Sequence, residues 1–265
     1  MPSEKRYARI IEKIFFRHYK SRSSTIRFRR EEIITVAKEL RIDIPKNLGD
    51  LVYSFRYRAA LPESVSKKAP KGTEWVIRPD GPAKYKFVAL PFASITPSSQ
   101  LAETKVPDST PGVIESYALS DEQALLAKIR YNRLIDIFTG LTCYSLQNHL
   151  RTQVKGIGQV ETDEVYVGLD KRGVHHVLPV QAKGPKDKIG IVQIEQDAAV
   201  CKSKFPALLC RPIAAQLIRT DLIALFEIEL SKTGISISSE KHYWLVPAEN
   251  ISKEELLMYR KRFLQ

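Results

Sequence analysis

The stretch HHVLPVQAKG, His175 to Gly184, decides how this chain is read, together with QVETDEVYVG, Gln159 to Gly168, just before it. Val and Tyr alternate with polar residues in the first, the second is rich in Val and Leu, and a Lys171-Arg172-Gly173 turn separates them, which predicts two β-strands joined as a hairpin. Side chains alternate along a strand, so Glu161 and Asp163 share one face, and Gln181 and Lys183 share one face. The second strand runs apolar through Val177, Leu178 and Val180 and then ends on Gln181 and Lys183. Gly184 and Pro185 break it there. Polar and charged groups therefore converge at the ends of two neighbouring strands, beside a loop.

These residue types at this spacing fit one chemistry. Mg2+ takes hard oxygen ligands and keeps several waters, so one or two carboxylates and a substrate phosphate are enough to hold it. Asp163 would supply the carboxylate, Gln181 its amide oxygen and Ala182 a backbone carbonyl. Because Gln181 is uncharged, Glu161 is the auxiliary carboxylate. Coordination lowers the pKa of bound water and offsets charge on the phosphate. Lys183 would position the attacking water and neutralise the pentavalent transition state. Mg2+ is thus the expected cofactor, with Mn2+ able to substitute, and Gln181→Glu is expected to be tolerated. The competing bland reading is a half-buried hairpin in which Asp and Lys share a face by chance. The polar ending of an otherwise apolar strand weighs against it.

The order of a carboxylate strand, then VQAKG, then a helix rich in Gln resembles the PD-(D/E)XK restriction-endonuclease-like superfamily. The QAK triplet is similar to the form found in the Mrr family of restriction endonucleases, which act on modified DNA. The resemblance covers roughly Asp121 to Leu230. It implies an αβββαβ core with a mixed central sheet and Mg2+-dependent cleavage of DNA. One departure stands out: Mrr proteins usually carry a glycine-flanked Asp before the second strand, whereas Asp163 sits within ETDEV. The superfamily often presents a polar residue from the helix after the Lys, and Gln193 is the match. It also often places an acid on the first helix. Glu122 holds that position, although a first-turn partner of the helix dipole is the plainer reading.

Charge is unevenly spread. The 265 residues carry a formal +12; residues 1–100 hold 21 Lys and Arg against 10 Asp and Glu, and the remainder is nearly neutral. Such an asymmetry is the footprint of a polyanion-binding module. Membrane association fits poorly, for there is no long apolar run and no lipidation signature. The first residues, MPSEKRYARIIEKIFF, are too charged for a signal peptide. Cys143, Cys201 and Cys210 lack zinc or disulfide spacing and read as buried thiols of a reducing cytosol.

The basic portion has its own element order. Tyr7, Ile10, Ile11, Ile14, Phe15 and His18 predict a first helix. Thr25 to Arg29 alternates as a short strand, and Glu31 to Leu40 forms a second helix. A third, capped by Asn47 after Pro45, runs through Leu48, Leu51, Val52 and Phe55. TEWVIRPDGPAKYKFVAL then reads as two strands about Pro79-Asp80-Gly81. Helix, strand, helix, helix, hairpin is similar to the winged-helix fold over Tyr7 to Leu90. That fold places its third helix in the major groove and its wing along the backbone. Arg56 and Arg58 on the helix, and Lys84 and Lys86 on the wing, are the DNA-contact candidates.

Residues 91–112 read as an extended linker rich in Pro, Ser and Thr. A long helix is expected from Asp121 to Thr139, capped by Ser120 and closed by Gly140, then a short one from Tyr144 to Arg151. A helix from about Ile189 to Lys204 follows the Lys-rich loop, and strands from Leu208 to Arg219, Leu222 to Leu230 and His242 to Val246 complete the sheet. The expectation is an α+β protein: a winged helix over residues 1–90, a linker, and a nuclease domain over 113–265. It would act in the cytoplasm on double-stranded DNA as a homodimer in restriction or defence. The alternatives are a DNA-binding regulator with an inactive nuclease-like domain, or a repair or junction-resolving nuclease.

Overall fold

In the computed structural model, which describes residues 3–44, 48–57, 59–91, 94–117, 122–231 and 234–263, the N-terminal periodicity becomes α1 (Ser3–His18), whose Ile10, Ile11, Ile14 and Phe15 are wholly buried. It is followed by β1 (Thr25–Arg29), α2 (Arg30–Leu40), α3 (Leu48–Tyr57), a single turn α4 (Glu63–Ser66), β2 (Glu74–Pro79) and β3 (Lys84–Leu90). The Arg29 N–H at the start of α2 donates to Glu32 Oε1 at 2.7 Å, and the helix ends on Arg41 in the left-handed conformation. Gly81, at φ +108, allows the tight turn between β2 and β3. The three strands pair in the order β1-β3-β2, all antiparallel. Their inner face packs Ile26, Phe28, Ile77 and Phe87 against Ile33, Val36, Leu51, Val52 and Phe55 of the helices.

The chain divides into two units. The first is Met1–Ile95 with Arg151–Val160 and Gly190–Val200; the second is Thr96–Leu150, Glu161–Ile189 and Cys201–Gln265. A two-residue strand β4 (Ser94–Ile95) ends the first stretch. Then come β5 (Glu103–Pro107), α5 (Gly112–Tyr117), α6 (Glu122–Tyr131), α7 (Leu134–Thr139), β6 (Thr142–Val154), β7 (Gly158–Leu169), β8 (His175–Lys183), a two-residue β9 (Ile189–Gly190) and α8 (Ile191–Lys204). The chain continues through β10 (Leu209–Cys210), β11 (Ile213–Arg219), β12 (Leu222–Ser231), β13 (Gly234–Val246) and α9 (Lys253–Phe263).

The large sheet has the order β5-β13-β12-β11-β8-β7-β6, with β10 beside β8. It is mixed: β8 runs parallel to β11 and β10, and β13 parallel to β5, while β7/β8, β11/β12 and β12/β13 are antiparallel. Helices α6 and α7 cover one face through Leu125, Leu126, Ile129, Leu134 and Ile135, packed on Tyr166, Leu178, Val180 and Ala182. Val165, Val177 and Cys201 form a cluster on the other face. Burial on both faces explains why β8 is almost continuously apolar. The molecule is thus of mixed α and β structure about a mixed sheet. No described helix is long and apolar enough to cross a membrane.

Several expectations need correction. The helix expected from Asp121 to Thr139 is two helices. Asn132, between them, is buried and spends its side chain on the segment before α5: its Oδ1 accepts from Ser109 N at 2.7 Å, and its Nδ2 donates to Asp108 Oδ1 and Thr110 Oγ1. Arg133 then turns left-handed, at φ 49. The helix expected from Tyr144 to Arg151 is strand β6, whose side chains are mostly exposed. Its backbone pairing at the edge of the sheet beside β7 outweighs the helical preference of Leu, Gln and Arg. The stretch read as linker contains β5, paired with β13 from Glu103 opposite His242 to Pro107 opposite Val246. Arg211 and Pro212 split the strand expected from Leu208 to Arg219, and the last strand begins at Gly234. Cys210 is only half-buried. The expected caps Asn47 and Ser120, together with Pro45 and Asp121, lie outside the described residues.

Candidate active site

Strands β7 and β8 are paired from Leu169 opposite His175 to Glu164 opposite Val180. Just past that ladder the N–H of Ala182 donates to Asp163 Oδ2 at 2.8 Å, so a side-chain oxygen occupies the position of a ladder acceptor. The neighbouring Gln181, wholly buried, donates from Nε2 to the Glu161 carbonyl at 3.3 Å. Tyr166, Leu178, Val180 and Ala182 pack beneath α6 and α7, so strand alternation turns Glu161, Asp163, Gln181 and Lys183 to the other face.

Lys183 ends β8 with its ammonium 3.4 Å from Glu122 Oε1, at the first turn of α6. His149 reaches the same place from β6, its Nδ1 3.7 Å from Glu161 Oε1. It does so from a left-handed backbone, φ 47, an irregularity that re-aims a strand residue. Burial pushes the Asp163 carboxyl above the usual carboxylate range. The Lys183 charge and the Ala182 N–H pull it back down, Glu122 adds to the rise and His149 opposes it. The site is a desolvated carboxylate beside an ammonium, with two further acids and an imidazole around them.

Of the residues chosen from the sequence, Asp163, Glu161, Gln181, Ala182 and Lys183 come together. Gln193, half-buried on α8, belongs to the other unit. Glu122, read mainly as a dipole partner, is ion-paired to Lys183. The helix expected from Tyr144 to Arg151 gives His149 no part in the site, and nothing in the local sequence marks its left-handed backbone. Hard oxygen donors around a half-buried carboxylate suit Mg2+, although among the described residues no group of three or more His, Cys, Asp and Glu is disposed to hold a metal ion.

A second polar cluster lies on the α6 face. Glu164 is wholly buried, bound by Arg130 Nε and Nη2 at 3.0 Å each and by Ser145 Oγ at 2.5 Å. A cavity of about 270 Å3 opens there, lined in part by Arg130, Arg133, Asp136, Cys143, Ser145 and Tyr166. Burial raises the Tyr166 hydroxyl above its ordinary pKa and lifts the Cys143 thiol to about 11. This cavity contains none of the residues selected from the sequence, and its charges are already mutually paired.

In the first unit, Arg27 stands opposite Lys86, and Arg29 opposite Lys84, on the outer face of the three-stranded sheet. Arg78 also pairs with Lys86 in register. Asp80 holds Arg27 at 3.0 Å and Lys86 at 2.9 Å, and these cations, Lys86 foremost, depress its carboxyl below the usual range. Arg78 is bound by Glu195. Lys84 is exposed and Arg56 half-buried; Arg58 lies outside the described residues.

No protein-family model, curated protein or solved structure matches the chain.

Proposed function

We propose that the chain is a metal-dependent endonuclease of the PD-(D/E)XK kind with a winged-helix DNA-binding unit. The observation that carries this reading is the convergence of Asp163, midway along β7, with the Ala182 backbone and Lys183 at the end of β8, and with Glu122 beside them. The succession α6–α7, β6, β7, β8, α8, β11, with β8 parallel to β11, supports an αβββαβ core. The order β1-β3-β2 beneath three helices supports the winged helix. Like charges placed directly opposite one another across strands cost stability. Arg29 and Lys84 face each other across the sheet and are both exposed, so this basic pair is better explained by a polyanion than by folding.

Asp163, with the Ala182 carbonyl and Glu161 or Glu122, would hold Mg2+. The chemistry such an ion supplies is charge neutralisation at the phosphate and a lowered pKa of a bound water. Lys183 donates toward the phosphate oxygens, where negative charge grows in the transition state. The winged unit brings affinity through phosphate contacts. Cutting both strands calls for two such sites, so the chain acts as a homodimer on double-stranded DNA, in restriction or defence. The test is incubation of the purified chain with modified and unmodified plasmid in Mg2+, in Mn2+ and in chelator. Metal-dependent linear or nicked product supports the reading, and intact plasmid under every condition overturns it.

The second reading, a DNA-binding regulator with an inactive nuclease-like domain, is favoured by the uncharged Gln181 and by the lack of a three-ligand cluster among the described residues. It predicts the same duplex binding with no cleavage.

A further inference from the structure

Helix α9 is attached to its own unit through polar groups. Glu255 and Tyr259, one turn apart, face inward: Lys105 Nζ sits 2.8 Å from Glu255 Oε1, and Lys105 N donates to the Tyr259 hydroxyl at 3.0 Å. Its start is fixed by a reciprocal cap, with Ser252 N donating to Glu255 Oε2 at 2.9 Å and Glu255 N to Ser252 Oγ at 3.2 Å. The large apolar side chains point elsewhere. Leu256, Leu257 and Met258 are 56%, 56% and 45% exposed. A surface helix ordinarily does the reverse, burying its apolar side and wetting its polar one. Three adjacent large apolar residues on a well-started helix mark a contact surface.

The charges indicate what covers it. Glu254 and Glu255 lie in the first turn and Arg260, Lys261 and Arg262 in the last. Leu257 lies midway between Glu254 and Arg260. We propose that α9 is a self-association surface, on which two copies of this chain cross antiparallel about a two-fold axis at Leu257. That axis stacks the Leu256–Met258 belts and sets Glu254 of each copy against Arg260 of the other. An isologous interface needs such a self-complementary patch, in which i meets j and j meets i. A parallel crossing would instead oppose acid to acid and base to base. The inference supplies a surface for the two-copy assembly proposed above, yet it stands on the helix and is tested without DNA or metal, so either reading can fail alone.

The experiment is sedimentation of the full chain over a wide micromolar range. The parent is expected at twice the 30.1 kDa chain mass at the upper end. Leu257→Asp should weaken self-association by about a hundredfold, since it puts a charge at the axis twice over. Glu254→Lys and Arg260→Glu should each weaken it by about three- to tenfold, because a weak surface pair occurs twice across the axis. The double reversal should restore the parental value. Circular dichroism of each variant checks that the fold is kept. A parent that is monomeric throughout, a Leu257→Asp dimer of parental strength, or a double reversal no tighter than the single ones would each overturn the proposal.

Discussion

Asp163 Oδ2 accepts the Ala182 N–H at 2.8 Å, where Asp163 lies one residue and Ala182 two residues beyond the last paired residues of β7 and β8, Glu164 and Val180. The contact fixes the half-buried carboxylate, and its desolvation, against the pull of Lys183 and of the Ala182 N–H, raises its pKa. A carboxyl whose folded pKa lies above its unfolded value favours folding while protonated. Its contribution is complete below the unfolded pKa and is lost as pH rises through the folded pKa. Asp163→Asn keeps an acceptor for Ala182 and removes the charge. In chelator it is expected to melt above the parent at neutral pH, the gap closing as pH falls below the ordinary carboxylate range. Added Mg2+ should raise the melting temperature of the parent and not of the variant. Identical melting profiles across the whole pH range in chelator would refute a desolvated charge at Asp163.

Lys183→Ala should lower the cleavage rate by about 10²–10³-fold, the usual loss when one preorganised donor is taken from developing charge. Duplex affinity should stay near the parental value, because Lys183 serves the transition state. Single-turnover cleavage and equilibrium binding, measured on the same preparation, separate the two. A variant that cuts at close to the parental rate removes Lys183 from the site.

Gln181→Glu reverses an expectation. From the sequence alone a carboxylate here is tolerated, since it adds a metal ligand. In the fold Gln181 is wholly buried and donates to the Glu161 carbonyl. A glutamate would set acceptor against acceptor, at a cost of about 1–3 kcal/mol in the absence of metal. Urea denaturation in chelator reads this directly, and an unchanged midpoint would show that the hydrogen bond contributes nothing.

Local patterns are legible in the sequence. The alternation in VETDEVYV and HHVLPVQAK set the faces of β7 and β8, and helical spacing found α1, α2 and α3. Structure decided by a distant partner is not legible there. Nothing near Asn132 shows that Ser109, Asp108 and Thr110 will claim its amide and end α6. β6 is strand because β7 lies beside it, and misreading it concealed His149. Glu122 was visible as an acid on a helix, but its pairing with Lys183 belongs to the packing of α6 on the sheet.

The basic face of the first unit allows a test with two opposite signs. Lys84 is exposed, whereas Arg27 and Lys86 are held by Asp80. Lys84→Ala should weaken duplex binding without regard to base sequence and lower the slope of log K against log salt by about one. Asp80→Asn should tighten binding, because it releases two cations toward the phosphates. A salt titration of both variants decides the matter; weaker binding by Asp80→Asn would place the DNA on another surface.

Arg130 holds the wholly buried Glu164 with two bonds of 3.0 Å, while its own side chain remains 35% exposed. Burial works against the Arg130 charge, but Glu164 outweighs it and keeps the guanidinium above its usual pKa. Arg130→Ala strands a carboxylate among Ser145, Tyr166 and apolar side chains. The expected loss is on the order of 3 kcal/mol, the lower end for a broken buried pair because one partner is partly wet. Glu164→Gln in the same background should recover most of it, since an amide can be buried neutral and still accept from Ser145. Urea denaturation of the parent, the two single variants and the double variant gives the coupling. Equal midpoints for Arg130→Ala and the parent would mean that the pair does not stabilise the fold. Because Glu164 and Asp163 point to opposite faces of β7, cleavage per folded molecule should be unchanged throughout the series.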